Sequence, residues 1–554
     1  MSVQLAGRLS ALLFCFLICV GCGDVYRPTI IPQPVQPPDP KNAHAAFTVN
    51  QNGAFNPGTG LQVDVSGDSA AGVTKVANLP VHAVVQGGRV WVVNRGSNSV
   101  SAFTVASGST VPIGTAIAIN LPSSPIVVPP GSPTNDIVAS PNFVYTTETA
   151  TVYVASAFVH SQNPNLNDLN GTVTVINSIT NTISNAVAVG MYPIAMTETP
   201  TNTATTGLVK KLYVVNRDSN NITVVQAADQ TVLTTLATGN SPRWVVSRAD
   251  GARVYVLSND GTITNIDSLS PVDTVIGSVS IGAGADSFYY DSRTNRLYIP
   301  NPTNSTVTIL DASLDSLPVL ATINLTAAIP SGTGAPCPAT GCSPVSVTAL
   351  PDGSRAYVAS YYIDSTSANC QQTACLQAQV TVIDEATNQV TKSIPLPQVS
   401  VSPVGNCGTP SQVRFRIAAT TAVDGSRVYV SSCDAGRVAS INPVGDVYFA
   451  AIPAPVSAFS PTLLNITSAT QNGAETTYSY TYSQPVANTP IYLGLMVTIT
   501  GMSQAADNGT FTVTGLGNGT FTVSNPSGVS SATESGTGIG QPPPQNPVFM
   551  LTGS

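Results

Sequence analysis

The chain has 554 residues, 42% of them hydrophobic and only 9% charged, so it carries material for a large core and reads as globular, not disordered. Its formal net charge is −8, and its 20 Lys and Arg are scattered instead of gathered into a stripe. Nothing here would neutralise a phosphate backbone, and nucleic acid is excluded as an expected partner.

Residues 1–22, MSVQLAGRLSALLFCFLICVGC, have the form of an export signal: Arg8, an apolar run from Leu12 to Val20, and Gly21 before Cys22. The run is short for a membrane-spanning helix. Its end resembles the lipobox of bacterial lipoproteins, although Cys19 stands where Leu is usual. That resemblance implies lipidation of Cys22, which would leave the protein exported and anchored to a membrane of the cell envelope, on the outer-membrane or periplasmic side. An ordinary secretory signal is the alternative. Residues 23–43 follow as a tether, because the prolines of YRPTIIPQPVQPPDP hold the chain extended at about 3 Å per residue.

From residue 44 to 454 a single phrase recurs. It reads RVWVVNRGSNSVSAFTV at its first full occurrence and DGSRVYVSSCDAGRVASINP at its last, and its aromatic falls at Trp91, Tyr153, Tyr213, Tyr255, Tyr298, Tyr357 and Tyr429. The shortest steps are about 42 residues, and the longer ones carry insertions. Each copy opens with an apolar run after Pro or Gly (PVHAVV, PIAMTET, PRWVVS, PVSVTAL), followed by a turn, the V-Y-V strand, a polar hairpin, a V-T-V strand and a last strand such as QVTKSIPL. Alternation in TVTVIN and TVTILD has the period of two that marks strands. Asp-Gly pairs at Asp250, Asp352 and Asp424 supply the positive φ that a tight hairpin needs. Four short strands per period of 40 to 50 residues make a propeller blade. The expected fold is all-β, a seven-bladed propeller. Residues 44–78, which look like the second half of a blade, supply either the ring-closing strand or part of an eighth blade.

RVWVVNRGSNSVSAFTV and KLYVVNRDSNNITVVQ resemble the YVTN-type β-propeller repeat of bacterial surface and periplasmic proteins, and the match runs from about residue 79 to 445. The resemblance implies the fold and an envelope location. It leaves activity open, because propellers host many unrelated functions.

Residues 455–540 change phrase. Thr alternates with Phe and Val across Gly-rich turns in the near-duplicates NGTFTVTGL and NGTFTVSNP, which predicts a small antiparallel module, sandwich-like. Residues 541–554 form a Pro-rich tail whose VFML is a candidate closing strand for either domain.

The nine cysteines divide into Cys15, Cys19 and Cys22 in the signal and six in the body. Export makes disulfides the default for the six, although they allow fifteen pairings. Close spacing suggests Cys337 with Cys342 and Cys370 with Cys375, which leaves Cys407 for Cys433. A zinc site would need a tighter Cys or His pattern than this. Histidine is confined to His44, His82 and His160, too few for haem or copper ligation. His82 could face the central channel or simply pack, and His160 is expected to be exposed in a loop. Asn163 to Gly171 imitates a calcium loop but has one carboxylate, Asp168. Arg95 and Arg217, at equivalent hairpin positions, could form a basic pair or be solvated singly.

No catalytic, cofactor or metal residue is nominated. The expected function is a non-catalytic envelope lipoprotein whose propeller is a binding or scaffold platform for a protein or polysaccharide. A hydrolase resembling the lactonase-type propellers and a structural or adhesion protein are the alternatives. Long segments follow the second strand or lie between blades, and those positions share one face; the ligand is expected there, near blades 5 to 7.

Overall fold

The computed structural model describes residues 45–552 except 52–56, 107–108, 113–116, 119–135, 147–150, 164–165, 167, 201–208, 270–271, 330–331, 365–373, 401–406, 408–415, 454–461, 484–490, 492–494 and 541–545. Eight antiparallel sheets follow one another as propeller blades, and a closed six-stranded barrel comes between the last two. Within a blade the strands are lettered a to d from the axis outward.

Blades 1 to 7 correspond to the seven copies of the phrase. Their b strands are Arg89–Asn94, Thr151–His160, Lys211–Asn216, Arg253–Ser258, Arg296–Asn301, Arg355–Asp364 and Val428–Ser432. The eighth blade is split between the chain ends. Its a strand is Asn546–Thr552 from the tail, and strands b to d are Ala45–Gln51, Pro57–Asp64 and Ser69–Asn78. Phe47↔Leu551 and Val49↔Phe549 are among the pairs that fasten the ring. The blade count is therefore eight, not the preferred seven. Residues 44–78 form the greater part of the extra blade, and VFML is its innermost strand. A count of V-Y-V phrases passes over this blade because its b strand reads AAFTVNQ, with Phe47 in the aromatic position.

That aromatic explains the repeat. Phe47, Trp91, Tyr153, Tyr213, Tyr255, Tyr298, Tyr357 and Tyr429, one per blade, are each at most 2% exposed and sit among Val, Leu and Ile of neighbouring strands. Each ring buries on the order of 150–250 Å². The Asp-Gly turns behave as expected: Gly251, Gly353 and Gly425 have φ of 70°, 71° and 72°, a region where a side chain would be strained.

The b strand also explains its leading base. Arg355 donates to Asp446 Oδ1 at 2.7 Å and Pro443 O at 2.8 Å, while Tyr357 Oη donates to the same Asp446 oxygen at 2.6 Å. Asp446 lies in the c–d turn of the next blade. Arg427 and Tyr429 reach Asp68 of blade 8 in the same way, at 2.8 and 2.9 Å, and Ser440 joins them at 2.6 Å. Lys211 pairs with Asp273 at 2.6 Å, Arg253 with Asp315 at 2.7 Å, Arg296 with Asn388 at 3.0 Å, and Arg89 with the Ser178 carbonyl. Six blades thus clasp the c–d turn of the next. Asp68, Asn388 and Asp446 take φ of 47°, 55° and 51°, which Asp and Asn tolerate better than most residues.

The C-terminal module closes on itself instead of stacking as two sheets. Thr462–Asn472, Glu475–Tyr482, Thr520–Ser524, Gly509–Gly517, Met496–Thr500 and Gly536–Gly540 pair in that order, and the last strand returns to the first. Leu464, Ile466, Tyr478, Val497, Ile499, Phe521 and Val523 fill it.

Candidate functional site

The a–b and c–d turns share one face of the propeller, and the b–c and d–a connections share the other. On the first face most turns are short, and in blades 4 to 8 a polar side chain of the c–d turn is occupied by the clasp from the preceding blade. Residues 199–210, the a–b connection of blade 3, are the long exception.

The opposite face carries the long connections, and covalent or ionic ties hold several of them. Cys337 is bonded to Cys342 in the connection from blade 5 to blade 6. Ser305 Oγ donates to Cys342 O at 2.8 Å and accepts from Cys342 N at 2.9 Å, which fastens the ring to blade 5. Cys407 is bonded to Cys433 across 26 residues and joins the next connection to the end of the b strand of blade 7. Asn546 donates to Cys433 O at 2.7 Å, so the same staple meets the closing strand. Cys375 is also disulfide-bonded; Cys370 lies outside the described residues. In blade 6, strands b and c run on as a paired ladder to Asp364↔Cys375. In sequence the barrel lies between strand d of blade 7 and strand a of blade 8.

His160 is buried, contrary to the expected exposure. Its Nδ1 lies 2.9 Å from Asp136 and its Nε2 3.0 Å from Asp168. Hydrogen bonding to Asp136, and then to Asp168, raises its pKa, because both carboxylates favour the charged ring. The loop that imitates a calcium site is therefore fastened by a histidine. Among the described residues no cluster of three or more His, Cys, Asp or Glu is placed to hold a metal ion. Arg217 is stacked on Tyr192 at 3.5 Å and paired with Asp218 at 2.6 Å, not with Arg95. Cys22 and His44 lie outside the described residues.

The a strands surround the axis and enclose a cavity of about 280 Å³. Six of them share a local device: Pro80, Pro141, Pro193, Pro242, Pro344 and Pro547 are each followed by a register shift, so one residue bulges out of the ladder. The residue after the bulge is His82, Phe143, Ala195, Trp244, Ser346 or Phe549 in the respective blades, and all but Ala195 line the cavity. The result is an arc of rings. His82 stacks on Phe143 with centroids 3.9 Å apart and touches Phe549 at 4.5 Å. Phe143 meets Trp244 edge-on at 5.8 Å, across the blade where Ala195 leaves room. Of the two places open to His82, it takes the channel, where it also packs, and its Nδ1 accepts weakly from Val144 N at 3.4 Å. Among the described residues that line it there is no Asp, Glu, Lys or Arg. Sequence reading found His82 but missed the other rings; the signal was present as Pro-x-aromatic in PVH, PNF, PRW and PVF.

No protein-family model matches the chain, and no curated protein matches it. Among solved structures it is similar to apo AztD from Citrobacter koseri, at 10% identity and a TM-score of 0.46, over 74% of this chain and 95% of that one. It is similar to the dihydro-heme d1 dehydrogenase NirN at 11% identity and a TM-score of 0.46, over 75% and 74%. It is also similar to a functionally unknown protein from Desulfotomaculum acetoxidans, at 8% identity and a TM-score of 0.43, over 74% and 95%. These neighbours are β-propeller-like, and at such distances the likeness concerns fold alone.

Proposed function

We propose that this chain is an exported, lipid-anchored binding protein of the cell envelope, non-catalytic, whose propeller presents its loop-rich face to a protein or glycan partner. The observation that carries this reading is the inequality of the two faces. One face uses its polar turns to hold blade to blade, whereas the other bears long connections tied by Cys337–Cys342, Cys407–Cys433 and the His160 clamp. Stapled loops on a rigid scaffold lose less conformational freedom on binding than free ones. The hydrolase alternative would need carboxylate or Arg groups round the channel, and the described residues of the lining include none.

Lipidation at Cys22 is tested by the intact mass of membrane-extracted protein: a diacylglycerol-sized addition is expected, and a soluble form cleaved elsewhere would end that part. The binding face is tested by joining Ile363 to Leu376 through a two-residue turn. These two already face each other in the ladder, and the deletion removes Cys370 and Cys375 together. On protein and glycan arrays the trimmed chain is expected to lose the partner bound by the intact chain, with little change in Tm. Unchanged binding would refute the assignment of the face.

A further inference from the structure

The face that carries the clasps is ringed by exposed apolar side chains. Each d strand from blade 2 to blade 8 takes one extra residue near its start, where its pairing with strand c shifts. In blades 3, 4, 5 and 7 that bulged residue is Leu233, Ile276, Leu320 or Phe449, and all four are exposed. The c–d turns leading into d strands add Ile179, Val272, Leu314 and Val444 in blades 2, 4, 5 and 7, each more than half exposed. With Phe449, and Val319 at the start of the d strand of blade 5, these are the six most exposed large apolar side chains among the described residues of the propeller. A d strand starts at its c–d turn, so all of them lie at the clasp face. The described chain also begins there, because Ala45 opens strand b of blade 8 and pairs with Asp64 at the end of strand c. The tether of residues 23–43 therefore joins the propeller at the same end as the apolar ring.

We propose that the clasp face lies against the membrane, with its c–d turns and the starts of its outer strands resting in the headgroup layer of a zwitterionic phospholipid bilayer. The inference rests on the reading of Cys22 as the anchor and adds an orientation to it. A short tether holds the face it enters close to its anchor, and at the high effective concentration this creates, a weakly apolar surface is enough for contact. The arrangement favours lipid over protein. The apolar side chains come from blades 2, 3, 4, 5 and 7 and so lie round a ring, which a fluid, flat surface meets all at once and a compact partner meets only along an arc. The bulges interrupt the outer edges of the sheets, which opposes strand addition by a second copy. Charge selects the lipid: Asp229, Asp250, Asp315, Asp352 and Asp424 are exposed in turns of this face, so an anionic leaflet repels it and a zwitterionic one does not. The loop-rich face then points away from the bilayer, towards an arriving partner.

The test replaces the lipid, so it stands whether or not Cys22 is acylated; the intact mass decides that question separately. The chain from residue 23, which keeps every described residue, carries a histidine tag at its start and is held on phosphatidylcholine vesicles through a nickel-chelating lipid. An environment-sensitive dye is attached to Val272→Cys, Val444→Cys or Val138→Cys, the last near the start of strand a of blade 2, on the loop-rich face. All three side chains are exposed, so the fold does not depend on them. Doxyl-labelled phosphatidylcholine is expected to quench the dye at positions 272 and 444 at least about twofold more than at 138. Replacing part of the phosphatidylcholine by phosphatidylglycerol should lower that quenching. So should the pair Ile179→Ser and Leu314→Ser, which makes two other turns of the ring polar. Equal quenching at the three positions, or none at any, overturns the proposal. Emission from Val272→Cys or Val444→Cys that shifts to the blue without vesicles, as protein concentration rises, would assign the surface to a second copy and overturn it too.

Discussion

Glu385 is a buried carboxyl held well above its ordinary range. It is 1% exposed, in the c–d turn of blade 6. Burial, and then the neighbouring Asp291 carboxylate, push its pKa from 4.5 up to about 7, while Thr294 and Arg296 pull the other way. The native state therefore keeps a proton on Glu385 that the unfolded chain has released above about pH 4.5. Stability contributed by the neutral acid is full below pH 4.5 and is lost as pH rises towards 7. Glu385→Gln, neutral at every pH, is expected to change Tm little at pH 5 and to raise it by roughly 2 °C or more at pH 8. Equal effects at the two pH values would contradict the assignment. Residues of this kind were the least legible in the sequence. Nothing in the sequence marks His160 as buried, because Asp136 comes to it only when strands a and b of blade 2 pair.

The element that repeats is the b strand with its leading base and central aromatic, and each half of R-V-Y-V has its own partner. The aromatic fills the space between sheets, and the base, joined in blades 4, 6 and 7 by the Tyr hydroxyl, reads the turn of the following blade. The closing clasp is the most informative, since Arg427 and Tyr429 meet Asp68 across a sequence separation of 359 and 361. Asp68→Ala leaves Arg427, Tyr429 and Ser440 without their shared acceptor and is expected to cost about 2–4 kcal/mol in denaturant unfolding. Tyr429→Phe alone is expected to cost about 1 kcal/mol. An Asp68→Ala chain as stable as wild type would reduce the clasp to a surface contact. This level was the most legible, because strand period, Asp-Gly turns and aromatic spacing are local properties. The clasps were not, since their acceptors come from turns of varied sequence: SGDS, DEATN and NPVGD.

At the scale of the molecule, the chain makes a ring of eight blades by returning its last strand to its first three, and it carries a barrel on the way back. The all-β class, the propeller and the small C-terminal module were readable from the repeats. The eighth blade was readable only in part, as the half blade of residues 44–78 and the candidate closing strand VFML, because its innermost strand is separated from the other three by almost the whole chain. The path from blade 7 to blade 8 runs from an outer strand to an innermost one, as at every other blade boundary, and the barrel merely lengthens that connection. Barrel and ring closure can therefore be separated. The deciding measurement compares the thermal unfolding of two shortened chains with that of the full chain. In one, residues 462–540 are replaced by a short Gly-Ser linker, so that Asn546–Thr552 is kept; in the other the chain stops at residue 545. The first is expected to unfold cooperatively, with a Tm close to that of the full propeller. The second, with Phe47 and Val49 stripped of Leu551 and Phe549, is expected to unfold at least 10 °C lower or to aggregate. A chain ending at 545 that unfolds like the full protein would contradict a ring closed by its last strand.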